Sequence, residues 1–156
     1  PYTTLFRSLN ALRETEKIMK DEQDKAYVNL DLCAEEKEAG NEAFKLQQYP
    51  DAVKHYTEAL KRGPPEVNEE AYKLYSNRAA CYTKLCAWYD GLKDAEKCIA
   101  LKPDFGKGYS RKANIQFFMK EYDKAMETYK KGLEVDPDNE EMKDGLQRCI
   151  NQISRS

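Results

Sequence analysis

The sequence predicts an all-α fold: a right-handed superhelix of three helix pairs closed by a C-terminal capping helix. Three observations predict it. Residues 72–137 hold two copies of one pattern set 34 residues apart. Tyr75 answers to Tyr109, Ala79 to Ala113, Trp88 to Tyr122, Gly91 to Ala125, Cys98 to Gly132, Ile99 to Leu133, Leu101 to Val135 and Pro103 to Pro137. Each copy carries apolar and small residues at helical spacing for about a dozen residues, a break, a second such stripe and a terminating proline. That is a helix hairpin, and one hairpin cannot bury both of its faces, whereas stacked copies can. The third observation is a further copy in Cys33–Glu66. There Gly40, Tyr49, Ala52, Tyr56, Ala59, Leu60 and Pro64 match Ala79, Trp88, Gly91, Ala95, Cys98, Ile99 and Pro103. A fixed period of this length, with this order of sizes, is the signature of tetratricopeptide repeats.

The elements follow in order. Pro1–Ser8 fits no part of the pattern. It resembles the in-frame translation of a sequencing-adapter oligonucleotide, and we expect it to be an artefact outside the fold. Residues 9–32 form a charged linker. Leu9 to Ala26 has a thin apolar stripe at Leu9, Leu12 and Met19, with charges spaced to pair along a solvated helix. It is either a linker helix or the continuation of a preceding domain's last helix. Tyr27–Leu32 is the expected break. The repeat domain spans 33–153. Its repeats are 33–66, 72–105 and 106–139, with first helices at 33–46, 72–85 and 106–119 and second helices at 50–62, 89–101 and 123–135. Val67–Ala71 is an insertion of the kind solenoids place in loops, after Pro64-Pro65 has ended a helix. Gly40, Ala79 and Ala113 are small where paired helices approach, as are Ala59, Cys98 and Gly132 on the second helices. From about 140 to 153, Met142, Leu146, Cys149, Ile150 and Ile153 recur at helical spacing. This capping helix is expected to matter for folding and little for recognition.

Composition narrows the function. Lys and Arg total 26 against 28 Asp and Glu, so the basic surplus of a nucleic-acid footprint is missing. No apolar run approaches the length of a membrane span. The five cysteines, Cys33, Cys81, Cys86, Cys98 and Cys149, are odd in number and lack C-x-x-C spacing. We read them as small core residues of a cytoplasmic protein rather than as metal ligands. No cofactor or metal is expected. His55 is the only histidine and falls on a second helix. No phosphate loop or nucleophile elbow is present, so an enzyme is not expected.

The first helices of such an array line its concave face. Lys37 and Asn41 are one turn apart, Asn77 lies on the next first helix, and Lys107 and Arg111 are again one turn apart. Three cations and two amides around one hollow suit a ligand with clustered carboxylates. Lys107 and Arg111 are both expected to face solvent in the free protein. Phe44, Thr83, Asn114, Phe117 and Phe118 are candidate walls for ligand residues further from the clamp.

The segments Lys37-Glu38-Ala39-Gly40-Asn41, Tyr75-Ser76-Asn77-Arg78-Ala79-Ala80 and Lys107-Gly108-Tyr109-Ser110-Arg111-Lys112-Ala113 resemble the carboxylate-clamp co-chaperones. The stress-inducible phosphoprotein family, which organises heat-shock 70 with heat-shock 90, is the best match. The similarity runs from about Leu9 to Ile153, through Glu16–Tyr27, Tyr56–Leu60, Lys93–Ile99 and Phe117–Tyr129, and is strongest to that family's third tetratricopeptide domain. The resemblance implies a clamp of Lys37, Asn41, Asn77, Lys107 and Arg111. It implies as ligand the Glu-Glu-Val-Asp C-terminus of heat-shock 70 or 90, with heat-shock 70 preferred. The Val67–Ala71 insertion departs from the family pattern. This stretch by itself is not expected to bridge two chaperones. The alternatives are a clamp domain of immunophilin or phosphatase type, or a scaffold that uses the groove for a helix.

Overall fold

Asn29 starts the repeats. Its side-chain oxygen accepts from the Leu32 N–H at 3.0 Å, an N-cap that satisfies a donor the helix cannot. The computed structural model describes residues 2–156, and among them it contains eight α-helices and no strand. They are α1 (Tyr2–Tyr27), α2 (Leu30–Lys45), α3 (Tyr49–Arg62), α4 (Ala71–Lys84), α5 (Trp88–Leu101), α6 (Gly106–Phe118), α7 (Tyr122–Val135) and α8 (Glu140–Arg155). From α2 on, each helix packs on its sequence neighbours, and α4 touches α6 as α6 touches α8. The first helices α2, α4 and α6 thereby form one layer, with α8 at its end.

The turn inside each pair is the same device used three times. Gln47, Cys86 and Lys120 take left-handed backbone with φ of 60°, 58° and 64°. Around the first, Gln47 N–H donates to Phe44 O at 3.0 Å and Gln48 N–H to Ala43 O at 2.8 Å, so carbonyls left over at the helix end are satisfied. Cys86 therefore corrects the reading of all five cysteines as core residues. It is exposed at a turn, while Cys33, Cys81, Cys98 and Cys149 are buried.

Small residues let large ones in. A Cβ on Gly40 would lie 2.7 Å from the Tyr56 ring, and one on Gly145 would overlap the ring of Tyr129. Tyr56 and Tyr129 are the largest fully enclosed side chains. Between them Arg78 of α4 spans two repeats. Its Nε donates to Asp94 Oδ2 at 2.7 Å and its Nη2 to Asp94 Oδ1 at 2.8 Å on α5, and its Nη1 to Thr57 Oγ1 at 3.0 Å on α3.

α1 differs from expectation, because no break precedes Leu9: the helix runs unbroken from Tyr2. No α1 residue is buried. Its C-terminal end is fastened where Arg62 lies 3.5 Å over the Tyr27 ring and donates to Tyr27 O at 3.0 Å, and where Tyr27 donates to Glu58. Pro1 lies outside the described residues. Tyr2–Ser8 makes no buried contact, so a chain beginning at Leu9 is expected to melt as the whole chain does. A midpoint lower by more than about 4 °C, roughly 1 kcal/mol or more for a chain of this size, would show that the segment docks.

The insertion caps itself. Asn68 Nδ2 donates to Gly63 O at 3.2 Å and Asn68 Oδ1 accepts from Glu70 N–H at 3.1 Å, and Ala71 is already the first, buried residue of α4. At the far end Asn139 caps α8 by accepting from Met142 N–H at 2.9 Å. The seal on the last repeat is made by Met142, Gly145 and Cys149. Leu146 is only half-buried against it and Ile150 is exposed, because the close approach at Gly145 turns the apolar stripe by part of a turn.

Candidate functional site

Two adjoining clefts run along the face made by the first helices. One, of about 250 Å³, is lined by Asn41, Phe44, Tyr56, Asn77, Ala80 and Arg111, with Glu38 and Lys45 at its edge. The other, of about 260 Å³, is lined by Phe44, Ala80, Thr83, Arg111, Asn114, Phe117 and Phe118 with Lys84, Tyr129, Glu141 and Arg148. Phe44, Ala80 and Arg111 belong to both, so Arg111 stands at the junction.

The repeat register explains why an arginine fits there. In the first repeat Tyr56 of α3 donates to Asn41 Oδ1 at 2.6 Å, and in the third Tyr129 of α7 donates to Asn114 Oδ1. The matching positions of the second repeat are Ala80 and Ala95. Two large polar side chains are thus replaced by two methyl groups, and Arg111 lines both clefts beside Ala80. Its Nε is fully enclosed and has no hydrogen-bond partner among the described residues. Burial pulls the guanidinium below its ordinary pKa, and the charge of Glu141 opposes that pull. A half-buried cation with an enclosed, unused donor is stabilised by an anion brought to it. The expectation that Arg111 faces solvent is therefore corrected.

The tyrosine bond also fixes what Asn41 can do. Burial pushes the Tyr56 hydroxyl up to about 12, so it remains a donor at neutral pH. Its proton goes to the Asn41 carbonyl, which leaves the Asn41 NH₂ group as the part free to meet a ligand. That group can only donate, and a carboxylate can only accept.

The structure brings three of the five sequence-predicted clamp residues, Asn41, Asn77 and Arg111, to one cleft. Lys37 and Lys107 line neither cleft. Lys107 is exposed one turn before Arg111 on α6, and Lys37 is half-buried one turn before Asn41 on α2. All five wall residues, Phe44, Thr83, Asn114, Phe117 and Phe118, line the second cleft. Phe118 stacks on Trp88 with centroids 5.6 Å apart, and Phe117 meets Tyr122 edge-on at 5.2 Å. Sequence reasoning missed Tyr56, Ala80, Lys84, Glu141 and Arg148. The Tyr56–Asn41 and Tyr129–Asn114 pairs, each 15 residues apart in matching registers, are the signal that could have found the first two. Glu141 and Arg148 belong to the capping helix, so that helix contributes side chains to the groove as well as sealing the core. His55 lies away from the clefts, with Nδ1 2.7 Å from Glu36 Oε2. Among the described residues no helix is long and apolar enough to cross a membrane.

These helix pairs and their groove are those of a tetratricopeptide domain, and the tetratricopeptide repeat family profile matches residues 106–139. The Hsp70-Hsp90 organizing protein of Triticum aestivum is 55% identical over 149 residues, which is 96% of this chain and 25% of that protein. Among solved structures, the TPR2AB-domain:pHSP90-complex of yeast Sti1 matches with a TM-score of 0.82 and 34% identity over 91% of this chain and 55% of that one. The TPR2B-domain:pHsp70-complex of yeast Sti1 matches with a TM-score of 0.71 and 33% identity over 78% of this chain and 98% of that one. The chain belongs to the family of Hsp70-Hsp90 organizing proteins. It spans about a quarter of the length of the curated plant relatives it matches.

Proposed function

We propose that this chain is a cytoplasmic co-chaperone adaptor module, without catalysis of its own, that holds the acidic Glu-Glu-Val-Asp C-terminal tail of heat-shock 70 or heat-shock 90. The observation that carries the reading is Arg111, enclosed at the junction of two clefts with an unpaired donor, next to Asn41, whose free end can only donate. Asn41 and Asn77 take the terminal carboxylate and Arg111 a side-chain carboxylate. Lys37 and Lys107 add charge from the rim, and the aromatic walls receive the residues upstream. The solved relatives in complex with pHSP90 and pHsp70 support a ligand of this kind. Heat-shock 70 is taken as the preferred source on the resemblance to the family's third tetratricopeptide domain, while solved relatives hold peptides of either chaperone.

Calorimetric titration with the two tail peptides side by side tests the reading. Amidating the peptide C-terminus, or replacing Lys107 with alanine, is expected to weaken binding by about tenfold or more, because a hydrogen bond to a charged group contributes about 1.5–3 kcal/mol. Raising salt is expected to weaken it too, since the rim is open to screening. Binding that survives both changes would show that the groove does not read carboxylates. Equal or reversed affinities for the two tails would overturn the heat-shock 70 preference alone.

A further inference from the structure

The second cleft contains one carboxylate among its lining residues. Glu141, in the first turn of α8, faces the same cleft as Lys84, Arg111 and Arg148. Asn114 Nδ2 donates to Glu141 Oε1 at 3.2 Å, while the other end of that amide accepts from Tyr129. The two tyrosine-held asparagines therefore differ in one respect. Asn41 keeps its NH₂ group free for a ligand, and Asn114 has already given a hydrogen to a carboxylate of the chain itself.

We propose that Glu141 is a built-in competitor for the ligand: held by Asn114 in the cleft that Arg111 also lines, beyond ion-pair distance of the guanidinium, it sets a negative charge where an acidic tail must bind, and the tail must displace it. The proposal rests on the tail-binding reading above. Glu141 is also the chief charge that opposes the effect of burial on Arg111. A free carboxylate in that position lets the protein keep a half-buried cation without a bound anion. It also sets a threshold, because a segment with a single negative charge exchanges one carboxylate for another and gains little. A tail with several carboxylates displaces Glu141 and still has charge to spare for the rim lysines. Glu141 thus makes binding weaker, and only a tail with several carboxylates recovers enough charge-assisted contact to bind. The charge is not needed by α8 itself, whose first turn keeps Glu140 and the Asn139 cap.

The test is the Glu141→Gln variant, whose amide oxygen still accepts from Asn114 while the charge is gone. Peptides ending in Glu-Glu-Val-Asp and in Gln-Gln-Val-Asp are titrated into the whole chain and into the variant at low and high salt. The variant is expected to bind the Glu-Glu-Val-Asp peptide about three- to tenfold more tightly at low salt, with the gain shrinking as salt rises. The gain for the Gln-Gln-Val-Asp peptide is expected to be smaller, because it brings fewer carboxylates for Glu141 to repel. Unchanged or weaker binding by a folded variant overturns the proposal and leaves the tail-binding reading standing, with Glu141 then orienting Arg111 rather than competing for it. Failure of the whole chain to bind either peptide brings down both.

Discussion

Replacing Asp94 with alanine is expected to lower the melting midpoint by about 10 °C while α-helical circular dichroism at low temperature stays close to that of the whole chain. The pair it breaks is enclosed: the side chains of Arg78 and Asp94 are 16% and 7% exposed. Removing the carboxylate leaves a guanidinium between α3, α4 and α5 with only Thr57 as partner. Breaking a buried pair in this way costs about 3–5 kcal/mol, against a total of roughly 5–15 for a domain. Removing both charges is different. Arg78→Met together with Asp94→Leu strands no charge, and the midpoint is expected to recover most of the loss. A small effect from Asp94→Ala would mean that water reaches the guanidinium, and that the bridge between the first two repeats is weaker than its geometry implies. The pair also matters for the groove. Arg78 is anchored on the side of α4 that meets α5, and Asn77, one residue or about 100° earlier on the same helix, is thereby turned toward the cleft. Asp94→Ala should therefore weaken tail binding modestly even at temperatures where the variant is folded.

Much of the fold was legible because repeats report on themselves. Comparing Gly40 with Ala79 and Ala113, or Pro64 with Pro103 and Pro137, locates the paired helices to within about three residues, since each copy checks the others. The capping helix has no second copy to check it, and there the periodicity located the helix and its seal only in part. Met142 and Cys149 are buried and Leu146 packs beside them, but Ile150 is exposed, and the approach point Gly145, tight against Tyr129, carried no apolar signal. A glycine in a polar stretch does not announce that it is an approach point. Cys86 was misplaced for a similar reason. Composition treats cysteine as a small apolar residue, and only the matching of Gln47, Cys86 and Lys120 reveals a turn position. At the groove, the residue types at Asn41, Asn77 and Arg111 could be read from spacing along the first helices. The burial of Arg111 could not, because it depends on two absences on other helices, Ala80 and Ala95, where the neighbouring repeats carry asparagine and tyrosine.

That burial sets the sharpest expectation for binding. Arg111→Ala is expected to reduce affinity for the acidic tail by tenfold to a hundredfold or more, since it removes charge-assisted bonds of about 1.5–3 kcal/mol in an enclosed setting. Its effect on stability should be of another kind from that of Asp94→Ala. The free protein gains no hydrogen bond from the enclosed Arg111 Nε, and burial disfavours its charge. Cutting it away removes an unsatisfied donor at the same time as it removes packing from a cleft already open to water. The melting midpoint is therefore expected to stay within about 4 °C, roughly 1 kcal/mol for a chain of this length. Arg111→Lys should restore little of the binding. An ammonium is a point donor on a flexible stem, and it cannot present the planar fork that places one guanidinium between two clefts. The measurement is a peptide titration of the whole chain and both variants, paired with thermal melts. A large loss of stability in Arg111→Ala would show that Glu141 and its neighbours already satisfy the guanidinium. Tail binding that survives Arg111→Ala would remove the residue on which the adaptor reading depends.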